Sequence, residues 1–267
     1  MAVVIFMTAI AAFYRVRRRS TEIADMACYA ALWIAFTMAG AIFTYLTATL
    51  RLPLRDAELQ AVDAWLGFNW LDWFRFVGAH PVFKVVLAMA YSSLMLQIVG
   101  SVLYFSYRGT IERSDRLWWA AIVSLILTSL LSGAIPALGA GVHLGAAEIA
   151  QATYLPHLLA LRDGSASTFS VESIQGIVTF PSYHTVLAVL LTHAYLGSRR
   201  MLLFTSILNG LMLLSIPLYG SHYLSDMLAG GAVAAVSILI AGRIRLRSIA
   251  VNGQLDPSAR NATHHAA

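Results

Sequence analysis

Long apolar stretches alternate along the chain with short polar segments that carry most of the charge. A helix needs about 20 mostly apolar residues to cross a hydrocarbon core roughly 30 Å thick. The pattern therefore predicts an all-α, polytopic membrane bundle of about six transmembrane helices. The predicted spans lie near residues 24–49, 83–107, 117–137, 181–197, 201–219 and 223–243.

Two polar segments between the spans are long. Residues 50–82 mix Trp and Phe with Asp and Arg, a pattern typical of amphipathic helices at the lipid headgroups. Residues 138–180 are too polar to span and too long to be a simple connection, which favours a functional loop. We expect both segments on the outward side of the membrane.

The two ends of the chain differ from the predicted membrane domain, which covers residues 23–247. Residues 1–22 hold an apolar run followed by arginines, which fits an interfacial helix, a short span or an uncleaved targeting-like segment. No small-residue cleavage site precedes those arginines, so we do not predict a signal peptide. The polar tail, residues 248–267, is expected to be disordered.

Composition excludes other classes of protein. Hydrophobic residues make up 59% of the chain and charged residues 12%, whereas soluble domains carry about 25% charged residues. Such a chain can neither cover a water-soluble surface nor remain disordered as a whole. Cys28 is the single cysteine, which excludes an internal disulfide and a cysteine-rich metal site.

The net charge of +5 is spread over several connections, which argues against a nucleic-acid partner. Arginines cluster in every second connection, and acidic residues are more frequent in the others. Under the positive-inside rule, both termini are cytoplasmic in a cell inner or plasma membrane, and the acidic connections face outward. The basic clusters are at residues 15–19, 108–116, 199–200 and 243–247.

Three outward-facing places collect residues that a bilayer normally disfavours. His222 and Asp226 are four residues apart at the start of the last span, so imidazole and carboxylate share one helix face. His184 and Ser182, in the sequence FPSYHT, open the fourth predicted span, where free N–H groups of a helix bind phosphate. The long loop carries a third group, which consists of His157, Arg162 and Asp163.

These motifs resemble a known family. FPSYHT is similar to the PSGHT motif, and HYLSD to the terminal H-x-x-x-D motif, of the type 2 phosphatidic acid phosphatase superfamily. The resemblance covers roughly residues 80–243. A large residue at Tyr183 and the HY pair of the last motif resemble more closely the branch of inositol phosphorylceramide synthase and sphingomyelin synthase.

The resemblance implies a role for each motif residue and no metal or cofactor. His222 would attack a phosphoester and form a phosphohistidine, Asp226 would orient His222, and His184 would act as general acid and then as base. The substrate would be a membrane lipid phosphoester, and either water or an alcohol could be the acceptor. The expected phosphate-binding residues are Arg162, Ser182, Tyr183, Ser221 and His157.

Two departures from the family pattern concern positive charge. No K-x6-R-P motif is present around Lys84, and Ile216 occupies the position of the arginine in the S-R-x5-H motif. Phosphoryl transfer usually needs cationic partners, so Arg162 is the predicted replacement. Two other hypotheses use the same residues: a membrane transporter or non-catalytic lipid-binding protein, and a zinc site at His184, His222 and Asp226.

Overall fold

The structure is a computed structural model that describes residues 2–18, 20–146, 154–165, 168–170 and 173–255. Within these ranges the chain contains helices and no strand, which confirms the predicted all-α class. The helices are α1 Ala2–Phe13, a π-helical turn Tyr14–Arg18, α2 Thr21–Ala48, α3 Asp56–Trp65, α4 Trp70–Gly78, α5 Pro81–Ser92, α6 Leu94–Tyr107, α7 Ile111–Ala134, α8 Ala140–His143, α9 Leu155–Asp163, α10 Tyr183–Ala194, α11 Arg199–Tyr219 and α12 Leu224–Leu255.

Four helices in the described part of the chain are long and apolar enough to cross a membrane. They are α2, α7, α11 and the Leu224–Ile244 part of α12. Helices α4 and α5 meet the same criterion only as a pair, and they are bent by 111° at the break between them. A membrane bundle is therefore supported, with four or five candidate spans, and the expected count of about six is not confirmed.

The difference between the expected and the observed number of spans arises from two predicted spans. The stretch 83–107 is divided at Ser93 into α5 and α6. The stretch 181–197 forms α10, which has 12 residues, a length of about 18 Å at 1.5 Å per residue. Such a helix is shorter than a hydrocarbon core of roughly 30 Å.

Helix α10 lies in the centre of the bundle. It contacts α6, α7, α11 and α12, and its apolar side chains are buried in the main hydrophobic cluster with residues of those helices and of α2. Gly230 of α12 lets the two backbones approach, because a Cβ there would lie 2.6 Å from the carbonyl oxygen of Ser182. The start of α10 is therefore pressed against the first turns of α12.

The predicted interfacial segment 50–82 contains helices α3 and α4, as expected. Helix α4 is anchored to the bundle because the indole N–H of Trp70 donates to the carbonyl of Pro217 in α11, at 2.8 Å. Helix α3 turns two acidic residues inward, since Asp56, Leu59 and Asp63 are its buried residues. The segment is thus docked on the bundle by polar contacts as well as apolar ones.

The remaining segments frame this core. The predicted loop 138–180 contains the helices α8 and α9, and its residues 147–153, 166–167 and 171–172 lie outside the described residues. Helix α1 contacts α2. Helix α12 continues through the predicted boundary at 248 to Leu255, and residues 256–267 lie outside the described residues. The disorder of the tail stays a prediction.

Candidate active site

The centre of the site is the His222–Asp226 pair at the start of α12. Nδ1 of His222 lies 3.2 Å from Oδ2 of Asp226. The contact was expected, but the two residues do not share a helix face, because His222 precedes α12, which begins at Leu224. Oδ2 of Asp226 also accepts the backbone N–H of Tyr223 at 2.9 Å. Both side chains are buried, with exposures of 3% and 0%. When Nδ1–H donates to the carboxylate, the lone pair of the imidazole is on Nε2.

Gly220 leaves space beside that nitrogen. A Cβ at this position would lie 2.4 Å from Cδ2 and 3.1 Å from Nε2 of His222. Any larger residue would press on the imidazole ring. The glycine therefore keeps the Nε2 edge of His222 accessible to a reacting group.

A buried carboxylate from α3 holds the first turn of α12 in place. Asp63 accepts the backbone N–H groups of Leu224 at 2.7 Å and of Ser225 at 2.8 Å. The first N–H groups of a helix have no partner within the helix, and a negative charge near them is favourable. Asp63 thereby fixes the turn that carries Asp226.

A second carboxylate of α3, Asp56, connects the site to the segment before α8. It accepts the backbone N–H groups of Leu138 at 2.9 Å and Gly139 at 3.0 Å, and the phenol of Tyr223 at 3.2 Å. Burial raises the pKa of Tyr223, and Asp56 raises it further. Tyr223 is therefore a neutral hydrogen-bond donor.

Sequence analysis assigned Asp56 and Asp63 only to an acidic outward connection and missed their position beside the site. A signal was present, because residues 56, 59 and 63 follow the i, i+3, i+7 spacing of one helix face. Acidic residues that share a helix face with a buried leucine are expected to be buried too. Buried carboxylates need hydrogen-bond donors, such as the free N–H groups of another segment.

Ser221, predicted to bind phosphate, connects α12 to α8. Its φ of 56° lies in the left-handed region, which is uncommon for a residue other than glycine. The carbonyl of Ser221 accepts the N–H of Ala140 at 2.7 Å, and its Oγ accepts the N–H of Gly141 at 2.9 Å. These contacts hold the residue directly before His222 in one conformation.

The start of α10 is bonded to the first turn of α12. The backbone N–H of Ser182 donates to the carbonyl of Asp226 at 3.0 Å, and Oγ of Ser182 accepts the N–H of Thr185 at 3.4 Å. Ser182 is thus the N-cap of α10, with Pro181 before it. Capping places His184 in the first turn of α10, next to the His222 segment.

Aromatic rings hold the second histidine. The ring of His184 is stacked on that of Tyr91 in α5, with centroids 4.3 Å apart and planes 15° apart. Tyr91 in turn contacts the ring of Tyr219, at 5.8 Å between centroids. Tyr183 donates its phenol to the carbonyl of Ala121 at 3.3 Å. Sequence analysis missed both tyrosines, although Tyr219 lies only three residues before His222; Tyr91 is far from the motifs in the chain.

One cavity of about 580 Å³ contains both histidines. His184 and His222 line it together with four tyrosines, at positions 91, 154, 183 and 219. Its other walls are mainly apolar and come from α2, α6 and α7. The apolar lining residues include Trp33, Phe36, Leu94, Met95, Ile98 and Leu125. The cavity thus combines two histidines with apolar walls suited to an apolar chain.

Of the five predicted phosphate-binding residues, only Tyr183 lines this cavity, and the other four, Arg162, His157, Ser182 and Ser221, do not. Arg162 donates from Nη2 to the carbonyl of Leu52 at 2.7 Å. Nδ1 of His157 lies 2.6 Å from the phenol oxygen of Tyr45. No arginine or lysine lines the cavity within the described residues. The role of Arg162 as a phosphate ligand stays a prediction.

The described residues contain no group of three or more His, Cys, Asp and Glu side chains that could hold a metal ion. The zinc hypothesis named His184, His222 and Asp226, which would have to converge on one point. Only the contact between His222 and Asp226 is present in that set.

The fold and the site define a helical membrane protein with two histidines in one cavity, a buried His222 backed by a carboxylate and a half-buried His184. The family model of the PAP2 superfamily matches residues 57–240, and the chain belongs to this superfamily. Membership indicates phosphoesterase or phosphotransferase chemistry on lipids. No curated protein and no solved structure matches the chain.

The matched region runs from α3 into α12 and includes His184, His222 and Asp63. The resemblance to the phosphatidic acid phosphatase superfamily is therefore confirmed. The match does not distinguish the branches of the superfamily, so the closer resemblance to inositol phosphorylceramide synthase and sphingomyelin synthase is not confirmed.

Proposed function

We propose that this protein is an integral membrane enzyme that cleaves or transfers the phosphoester headgroup of a lipid through a phosphohistidine. The observation that carries the proposal is that a carboxylate-backed His222 and a second histidine, His184, line one cavity. Neither a metal nor a cofactor is required for this chemistry.

In the first step, Nε2 of His222 attacks the phosphorus atom and the bond between phosphorus and the leaving alkoxide breaks. His184 donates a proton to the departing oxygen as general acid. The imidazole ring of His222 becomes positively charged when its Nε2 is phosphorylated, and the carboxylate of Asp226 at Nδ1 stabilises this charge.

In the second step, His184 takes a proton from water or from the hydroxyl of an acceptor lipid. That oxygen then attacks phosphorus, and the bond between phosphorus and Nε2 breaks. Hydrolysis and headgroup transfer differ only in the acceptor. Ser182, Tyr183 and Ser221 belong to the segments that surround the phosphate in this proposal, and helix N-termini supply N–H donors to its oxygens.

The shape of the cavity supports a lipid as substrate. Histidine and tyrosine side chains line it together with mainly apolar residues of α2, α6 and α7, which suits a molecule with a phosphate and a hydrocarbon chain. The arginine distribution supports a site on the non-cytoplasmic face. The motif resemblance supports the branch of inositol phosphorylceramide synthase and sphingomyelin synthase, in which an alcohol is the acceptor.

Trapping of the phosphoenzyme tests the proposal. Purified protein is incubated with a short-chain phosphatidic acid labelled on phosphorus, and with an aryl phosphate whose leaving group needs no proton. We expect label on His222 in the wild type and neither label nor turnover in His222→Ala. His184→Ala should lose about 10²–10⁴-fold in turnover of the alkyl ester, the usual contribution of a general acid, and still be labelled by the aryl phosphate.

His80→Ala is the matched control, because His80 is an exposed histidine outside the cavity. Its turnover should equal that of the wild type. Normal turnover in His222→Ala would overturn the proposal. Inhibition by a zinc chelator would favour the metal hypothesis, and lipid binding with neither label nor turnover would favour a non-catalytic protein.

A further inference from the structure

A second large cavity lies at the opposite end of the bundle from His222. It has a volume of about 720 Å³ and lies between α7, α10 and α12. Arg243 of α12 lines it, and 17 residues separate Asp226 from Arg243. At 1.5 Å per residue, this spacing corresponds to about 26 Å along the helix. The two cavities therefore belong to different ends of the protein.

The lining of this cavity is strongly basic. It contains Arg113, Arg116, Arg243 and His193, and a single acidic residue, Glu112. Arg113 also has a structural role, since its Nη1 donates to the carbonyl oxygens of Ala194, at 3.0 Å, and Leu196 at the end of α10. Arg116 and Arg243 are both exposed and come from different helices, so they are the cations that can converge on a ligand.

The rest of the lining is apolar. Leu117 and Leu190 line the cavity from α7 and α10, and Ile238 and Leu239 line it from α12. Leu239 is 65% exposed, so this wall continues onto the outer surface of the bundle. A basic end next to an apolar wall suits a ligand that joins an anionic headgroup to a hydrocarbon chain.

Topology alone does not account for this arrangement. The positive-inside rule explains arginines near the cytoplasmic ends of helices, and exposed arginines such as Arg199 and Arg200 satisfy it. It does not require guanidinium groups from α7 and α12 to line one cavity with leucines. Basic pockets between transmembrane helices on the cytoplasmic side bind the headgroups of anionic lipids.

We propose that this cavity binds a phosphate-bearing anionic lipid, with Arg116 and Arg243 at the phosphate and the apolar wall along an acyl chain. The site is separate from the proposed catalytic cavity, and it stands whether or not His222 is a nucleophile. An anionic lipid and free phosphate both present a phosphate group that guanidinium can bind. The test therefore includes a soluble phosphate beside the lipid.

The test measures binding and needs no activity. Native mass spectrometry in detergent compares phosphatidylglycerol, phosphatidylcholine of the same chains, and inorganic phosphate on the full-length protein. The variant Arg116→Gln/Arg243→Gln is paired with the control Arg199→Gln/Arg200→Gln, which removes the same charge from exposed arginines outside the cavity. Thermal unfolding of each variant in detergent alone confirms that it is folded.

We expect the wild type and the control to retain phosphatidylglycerol over phosphatidylcholine, and the cavity variant to lose at least tenfold in affinity for phosphatidylglycerol. Equal losses in both double variants would show a nonspecific charge effect and overturn the proposal, as would unchanged affinity in the cavity variant. Binding of inorganic phosphate that depends on Arg116 and Arg243, without preference for phosphatidylglycerol, would overturn the lipid as ligand. Should the cavity variant not fold, Arg243→Gln alone, with Arg200→Gln as control, gives the same comparison.

Discussion

The side chain of Asp226 carries a carboxyl group in a buried environment that strongly disfavours its charge. It is fully buried, its Oδ2 serves His222 and Tyr223, and its Oδ1 has no hydrogen-bond partner within the described residues. A buried carboxyl group without full pairing is costly and is usually retained for function. A positive charge that develops on His222 during the proposed reaction gives this carboxylate its partner.

Tyr91 is a positioning residue for His184, and its stacked ring offers a direct test. Tyr91→Ala should lower kcat roughly three- to tenfold, because an aromatic pair contributes about 0.5–1.5 kcal/mol beyond its buried area. Tyr91→Phe retains the ring and should keep kcat within twofold of the wild type. Steady-state kinetics on a lipid phosphate measure the effect, and the rate at which the aryl phosphate labels His222 reports a step that needs no general acid.

The matched control is Tyr107→Ala, at the exposed end of α6, which should leave both substrates unaffected. A purely structural role for Tyr91 would lower turnover of the alkyl substrate and the rate of labelling by the aryl phosphate equally. Equal losses would therefore contradict the assignment of Tyr91 as the residue that orients His184.

Among the helices, α3 has a role that its exposed, polar sequence conceals. Its carboxylates cap the first turn of α12 and the segment before α8, so the position of His222 depends on a helix outside the central bundle. Helix α10 differs from α3 in its location, since it is buried at the centre of the bundle although it is too short to span the membrane. Both helices serve to position side chains of the cavity.

Asp63→Asn tests the role of α3. The amide has one acceptor oxygen where the carboxylate has two, so a buried N–H of α12 loses its partner. The free energy of unfolding should fall by about 1–3 kcal/mol, the usual cost of an unsatisfied buried group. Activity should fall with it, since Asp226 lies in the same turn. Denaturant unfolding in detergent and the turnover rate are the measurements.

Glu58→Gln on the same helix is the control. Glu58 is exposed and pairs with Arg55 across one turn, where an ion pair contributes little. Its stability and turnover should match those of the wild type. A similar loss of stability in both variants would mean that the charge of α3, and not the contact of Asp63 with α12, is responsible.

The molecule as a whole has two chemically different ends. The cavity with the two histidines contains no arginine among its described lining residues, whereas the opposite cavity contains three. Because arginines concentrate on the cytoplasmic side of membrane proteins, the histidines are expected on the other side.

Cysteine labelling tests this orientation. In a Cys28→Ala background, Ser165→Cys and Arg199→Cys place exposed thiols after α9 and at the start of α11. An impermeant maleimide added to intact cells should label position 165 and should label position 199 only after the membrane is opened. The reverse pattern would place the site on the cytoplasmic side and contradict the model of topology.

The sequence alone determined the class of the protein and the identity of its motifs. Apolar stretches, sparse charge and arginine clusters are sufficient to predict a helical membrane bundle, because the bilayer imposes the same requirement on every span. The short separation of His222 and Asp226 in the chain predicted their contact, although the helix begins only at Leu224, so His222 lies before it. Local sequence patterns are enough for features of this kind.

Only the tertiary structure decided which distant residues complete the site. Tyr91 stacks on His184, and Asp56 and Asp63 cap the segments next to His222, through contacts between residues more than 80 positions apart. The same packing ties Arg162 to the carbonyl of Leu52 and leaves α10 shorter than a span. These outcomes depend on how helices pack against one another, and the hydrophobic period of a single segment carries no information about its partners.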